Sequence, residues 1–286
     1  VGNRIGVMFD RDRAPEALPG FAAELEAAGV DEIWVVEDLG FGGGISAAAT
    51  ALAATTGIRV GIGIVPAPFR NPALLAMEIA TLERLHPGRL IAGIGHGVGP
   101  WMVQVGASVA STLTLLEETM VGVRALLSGA RVRTTGRYIT IDDVQLVHPP
   151  AAVPPLMAGV MKPRSLRLSG RIADGTILAE GTGPATVTAA LADIDATPAH
   201  QLVVLTHLCV SDDPAAVEAA TAPVRAEFAA VQGIAPEDVF LAAGPAGVVA
   251  ARIRSLWDAG SDSVVLRPVG GDPLRMVQET LAAVGR

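Results

Sequence analysis

The chain has 286 residues, half of them hydrophobic, a formal charge of −8 and a single cysteine, with a mean hydropathy of +0.46. One cysteine excludes an intrachain disulfide and a multi-cysteine zinc site, and an acidic balance without a Lys/Arg cluster argues against a nucleic-acid or anionic-membrane partner. The stretch Leu90 to Leu116 lacks Asp, Glu, Lys and Arg, but Gly93, Gly95, Gly97, Gly99, Pro100 and Gly106 interrupt it, so it does not read as a membrane span.

Short aliphatic strands alternate with amphipathic segments from end to end, the grammar of βα units around a parallel sheet. Arg4 to Phe9 reads as the first strand, with a helix from Pro15 to Ala28 stopping at Gly29. No basic segment and apolar core open the chain, so the sequence predicts no signal peptide and a cytoplasmic protein. Glu32 to Asp38 is the second strand, followed by a helix from Ile45 to Thr56. Arg59 to Pro66 is the third, and Asn71-Pro72 opens a helix to Leu85 that Pro87-Gly88 ends. Arg89 to Gly97 is the fourth strand, followed by a long loop and a helix from Thr112 to Leu127.

Arg131 to Thr134 and Tyr138 to Leu146 then read as a hairpin outside the repeat. Pro155 to Met161 resumes as the fifth strand, Pro163 to Ile172 as a helix, Gly175 to Glu180 as the sixth strand and Pro184 to Asp195 as a helix. Leu202 to Val210 is the seventh strand, with Cys209 inside it as a buried structural thiol. Helices Pro214 to Gln232 and Gly247 to Ala259 precede the eighth strand, Ser263 to Val269, and Pro273 to Val284 closes the series. Eight units without a linker predict one α/β domain over residues 1–286, a (β/α)8 TIM barrel.

In such a barrel the site lies at the carboxyl ends of the strands. Gly61 and Gly63 share one face of the third strand, and Gly93, Gly95 and Gly97 one face of the fourth, leaving room for a flat ring or, alternatively, fitting the taper of the interior. Ala158-Gly159-Val160-Met161-Lys162-Pro163-Arg164 leaves a strand and opens a helix, a setting for a phosphate. Glu37 and Asp38 are adjacent in a strand, so at most one enters the mouth. His96 stands at a strand end as a hydrogen-bond donor or proton carrier. His207 reads as a satisfied core histidine, His86 as helix-terminal, and His148 and His200 as surface-loop residues; none has metal-ligand spacing.

The strings GVDEIWVVED, IRVGIGIVPAPFRNPALLAMEIATLERLHPGRLIAGIGHG, PPLMAGVMKPRSLRLSGRIADGTIL and, more weakly, DSVVLRPVGGDP resemble the luciferase-like superfamily. Within it they look like the branch using the deazaflavin coenzyme F420, which includes methylenetetrahydromethanopterin reductases. The resemblance implies a homodimeric oxidoreductase whose cofactor carries the hydride, acting on a small, apolar substrate. Gly63-Ile64 matches the family's third-strand bulge, often a non-prolyl cis peptide, behind the cofactor ring. The residues it assigns to the cofactor are Glu37, Gly63, Ile64, Val65, His96, Gly97, Trp101, Ala158, Gly159, Val160, Met161, Lys162 and Arg164, with no metal; Asp38 and His96 are the catalytic candidates.

Two departures bear on the chemistry. Glu37-Asp38 stands where relatives often carry an acid-histidine pair, and Val98 where the family's sugar-phosphate dehydrogenases carry a glutamate. An FMN-dependent luciferase-like monooxygenase and a non-catalytic cofactor-binding barrel are the alternatives.

Overall fold

The computed structural model describes residues 3–197 and 199–286. Eight parallel strands close into a ring: β1 (Arg4–Met8), β2 (Glu32–Val35), β3 (Arg59–Pro66), β4 (Leu90–Gly95), β7 (Leu156–Gly159), β8 (Gly175–Leu178), β9 (Gln201–Val210) and β11 (Ser263–Pro268). The ring is complete because β8 pairs with β9, β9 with β11, and the last strand β11 with the first, β1. The fold is the expected TIM barrel. The antiparallel hairpin β5 (Val132–Thr135) and β6 (Thr140–Val144) lies outside the ring.

Around the ring run α1 (Leu18–Ala27), α2 (Gly44–Ala54), α3 (Pro72–Leu85), α4 (Gly99–Gln104), α5 (Thr112–Leu127), α6 (Pro163–Ile172), α7 (Pro184–Ile194), α8 (Pro214–Gln232), α9 (Ala246–Asp258) and α10 (Pro273–Val284). Asn71 caps α3 as expected, its Oδ1 accepting from the Ala73 N–H at 2.8 Å. The second strand ends at Val35, so Glu37 and Asp38 lie in the loop after it and not in the strand as expected, and two further elements differ from the sequence reading. The long loop after β4 contains α4, a short helix that Gly99 and Pro100 open rather than prevent. A strand was also missed: β10 (Ala242–Gly244) pairs with Leu208 to Val210 of β9, and three small residues carry no alternation to announce it.

Alternation along the strands divides the core in two. One face packs against the helices, a continuous layer including Ile5, Val7, Ile33, Leu75, Leu116, Val204 and Leu266. The other fills the interior with Met8, Trp34, Ile91, Met157, Ile177, Val203, Leu205 and Val265. At the lower end the fully buried Glu32 carboxylate accepts from Arg4, Trp34 and Ser263 at 2.8–2.9 Å and from Arg59 at 3.3 Å. A buried charge with this many donors is satisfied. It also holds the Trp34 indole upright in the barrel. No helix of the described residues is long and apolar enough to cross a membrane.

Candidate active site

The glycines of β3 and β4 make room for the protein's own side chains. A Cβ on Gly61 would lie 2.3 Å from the Trp34 ring, and one on Gly6 2.9 Å from the same ring. On the next strands a Cβ on Gly95 would come within 2.2 Å of Ile64 Cδ1, and one on Gly159 within 2.5 Å of Ile64 Cγ2; on Gly93 it would strike the Ile62 carbonyl at 2.2 Å. Gly61 therefore seats an indole, and Gly93, Gly95 and Gly159 form a socket for Ile64. This corrects the picture of a glycine face left bare for a ring: for these positions, fitting the interior is the reading the contacts support. What reaches the mouth is Gly63 with Ile64, both partly exposed, as an apolar floor. The Gly63–Ile64 peptide is cis.

His96 follows β4 and braces two helices. Its Nδ1 lies 3.3 Å from the Thr112 carbonyl oxygen at the start of α5, and its Nε2 3.0 Å from Ser165 Oγ in α6. A carbonyl only accepts, so Nδ1 carries the proton and Ser165 donates to Nε2. Burial pushes the His96 pKa down, partly offset by the Thr112 bond, which keeps the ring neutral. Both nitrogens thus have protein partners. Gly97 has φ +72°, and Met102 and Pro66 leave only 3.0 Å for a Cβ there, so this turn requires glycine. Met102 is buried against it, while Trp101 is half-buried on α4.

The two acids after β2 part company. Glu37 is buried, accepts from Gly44 N–H at the first residue of α2 at 2.8 Å, and pairs with Arg70. It ties the β2–α2 loop to the segment after β3. Asp38 is partly exposed and accepts from Arg11 Nη1 at 2.6 Å through Oδ2. Of the pair, Asp38 is the acid nearer the mouth, where its charge acts on Glu180 after β8.

Opposite, β7 leads into α6 with Lys162 as the residue before the helix and Pro163 at its first position. The side chains of Met161, Lys162 and Arg164 are exposed, and among the described residues Lys162 and Arg164 have no carboxylate within ion-pair distance. First-turn N–H groups and two uncommitted cations face solvent together. Val65, Ala158 and Val160 are buried in the layer under the helices, so only their backbone is available to a ligand.

The profile of the luciferase-like monooxygenase family matches residues 2–285. The chain belongs to this family. It is similar to 5,10-methylenetetrahydromethanopterin reductase of Methanolobus tindarius, 27% identical over 158 residues, which are 55% of this chain and 48% of that protein. The chain spans about half the length of the curated relatives it matches. Among solved structures, coenzyme F420-dependent tetrahydromethanopterin reductase from Methanopyrus kandleri superposes with a TM-score of 0.87 at 19% identity, covering 98% of this chain and 97% of that one. An F420-dependent secondary alcohol dehydrogenase in complex with an F420-acetone adduct gives 0.85 at 21%, covering all of both. At these identities the structural likeness is one of fold.

This luciferase-like barrel also carries an ionic cluster at its strand ends. Arg267, ending β11, donates from Nε to Asp10 Oδ2 at 2.7 Å and from Nη1 to Glu180 Oε1 at 3.4 Å. Burial raises the Glu180 pKa, with Arg267 opposing. Beside Arg267 in register stands His207. It is buried, edge-on to Phe228 at 5.2 Å, and its pKa is pushed down to about 3 by burial and by Arg267. It is the expected core histidine with one correction: among the described residues its Nδ1 has no hydrogen-bond partner. His200 is corrected too, since its Nε2 bonds Thr176 Oγ1 at 2.9 Å in a half-buried position. Asp10, Glu180 and Arg267 are far apart in sequence and meet only when the ring closes, and no local pattern signals it.

Proposed function

We propose that this chain is an F420-dependent oxidoreductase that exchanges a hydride between the deazaflavin and a small, apolar organic substrate, residues 1–286 working as one barrel. The observation that carries the reading is the pairing of the apolar Gly63–Ile64 floor with the uncommitted Lys162 and Arg164 at the start of α6. A floor of that kind suits a flat ring, and cations on a helix start suit its phosphate. The names of the similar reductase and dehydrogenases supply the choice of F420.

When bound, the deazaflavin would supply two-electron hydride chemistry. The chain's residues do the rest. Ile64, seated among the β4 and β7 glycines, and Val36 above Trp34 keep water from the floor. His96 holds the starts of α5 and α6 at fixed spacing and so positions the phosphate-holding turn. Among the described residues Asp38 Oδ1 has no protein partner, and Asp38 is the group proposed to hold or pass a proton, with Glu180 the second carboxyl.

Titration with F420 and with FMN, followed by absorbance and fluorescence, tests the reading. F420 binding at micromolar level with FMN much weaker is expected, and absence of F420 binding sinks it. Tight binding of reduced FMN with oxygen consumption would favour the monooxygenase alternative. A bound F420 that never changes redox state with any candidate substrate would favour a non-catalytic barrel.

A further inference from the structure

A cavity of about 520 Å³ opens beside the mouth, between the β1–α1 and β2–α2 segments. That is within the range of about 300–1,000 Å³ typical of small-molecule sites. Phe9, Leu18, Val36 and Phe41 supply apolar wall, and among the described residues the charged ones lining it are Arg11 and Arg13. Val36 also packs on the barrel interior, and Arg11 reaches Asp38, so this one wall separates the cavity from the mouth.

Both arginines stack on aromatic rings. The Arg13 guanidinium lies over two rings, 5.2 Å from the centre of Phe9 and 4.3 Å from that of Phe21. Among the described residues it has no carboxylate partner. Stacking fixes the plane of the fork and leaves its edge N–H groups unspent. Arg11 lies 4.9 Å over Phe41 and spends Nη1 on Asp38, so Arg13 is the less committed of the two.

We propose that this cavity is a binding site for an amphipathic monocarboxylate, its apolar body against Phe9, Leu18 and Phe41 and its carboxylate on the Arg13 fork. The charge is the discriminating feature: an apolar cavity with cations and no anion of its own at the lining favours a carboxylate over an alcohol or an amine of the same length. The inference stands on the cavity and does not depend on which cofactor the barrel mouth takes.

The test is calorimetry of the purified full chain with octanoate, 1-octanol and octylamine. Octanoate is expected to bind about tenfold more tightly than octanol, with octylamine weakest. Arg13→Met, which keeps an unbranched stem over the rings, should lower octanoate affinity about tenfold and leave octanol unchanged. Ser46→Trp, at an exposed position that lines the cavity, should remove all binding while far-UV circular dichroism stays as in the parent. Equal affinities for the three ligands, no octanoate binding, or octanoate binding that survives both substitutions in folded protein would each overturn the proposal.

Discussion

At the scale of single residues, the interior is decided by where large side chains meet missing ones. Trp34 stands against Gly6 and Gly61, and Ile64 against Gly93, Gly95 and Gly159. Gly61→Ala places a methyl group at 2.3–2.5 Å from three ring atoms. Overpacking of this kind costs about 1–3 kcal/mol, and urea unfolding should show it. In a Trp34→Phe background the same substitution should cost less, because the two residues share one space. Equal costs in both backgrounds would mean that the indole moves aside freely.

His207 gives a pH signature. Its folded pKa of about 3 lies below the ordinary 6.5, so the neutral form is the one the fold accommodates. A depressed histidine pKa leaves stability intact above 6.5 and erodes it as pH falls toward 3, because the unfolded chain takes up the proton first. Between pH 7.5 and pH 5 that uptake alone corresponds to about 2 kcal/mol. His207→Leu should remove this portion of the slope; an unchanged slope would show that other groups set it.

At the scale of elements, α6 is where sequence and site agree best. Pro163 starts the helix, Lys162 precedes it, and the following hydrophobic residues Leu166 and Leu168 anchor it in the core. The end that faces the mouth is thereby fixed, whatever the cations do. Replacing Lys162 and Arg164 together by Ala should weaken F420 binding about ten- to hundredfold and flatten its dependence on salt, with the thermal transition unchanged. Full affinity in the double variant would move the phosphate elsewhere. His96 belongs to the same element-level argument, since its two ring nitrogens join α5 to α6.

At the scale of the whole molecule, α3 turns an apolar stripe outward. Leu74, Met77 and Leu85 are 48%, 55% and 68% exposed, and their spacing of three and eight residues places them on one helix face. We propose this stripe as the face that a second copy of the chain would cover. Light scattering should give a dimer for the chain and a monomer for Met77→Glu, with secondary structure intact. A parent chain that is monomeric at micromolar concentration would refute it.

The strand and helix order was legible along the chain because each βα unit carries its own signals, such as Asn71-Pro72 before α3 and Pro87-Gly88 after it. The family was legible in the same segments, and Lys162 to Arg164 could be placed at a helix start from sequence alone. Packing decided the rest. A glycine in a strand shows that a side chain is missing but not which neighbour takes the space, so Trp34 and Ile64 as the occupants emerged only in three dimensions. Likewise Glu37 could be separated from Asp38 only once Arg70 and Gly44 were brought beside it. Asp10, Glu180 and Arg267 come from the first, sixth and eighth strands of the ring. Local periodicity carries no information about such distant pairings; closure of the barrel supplies it.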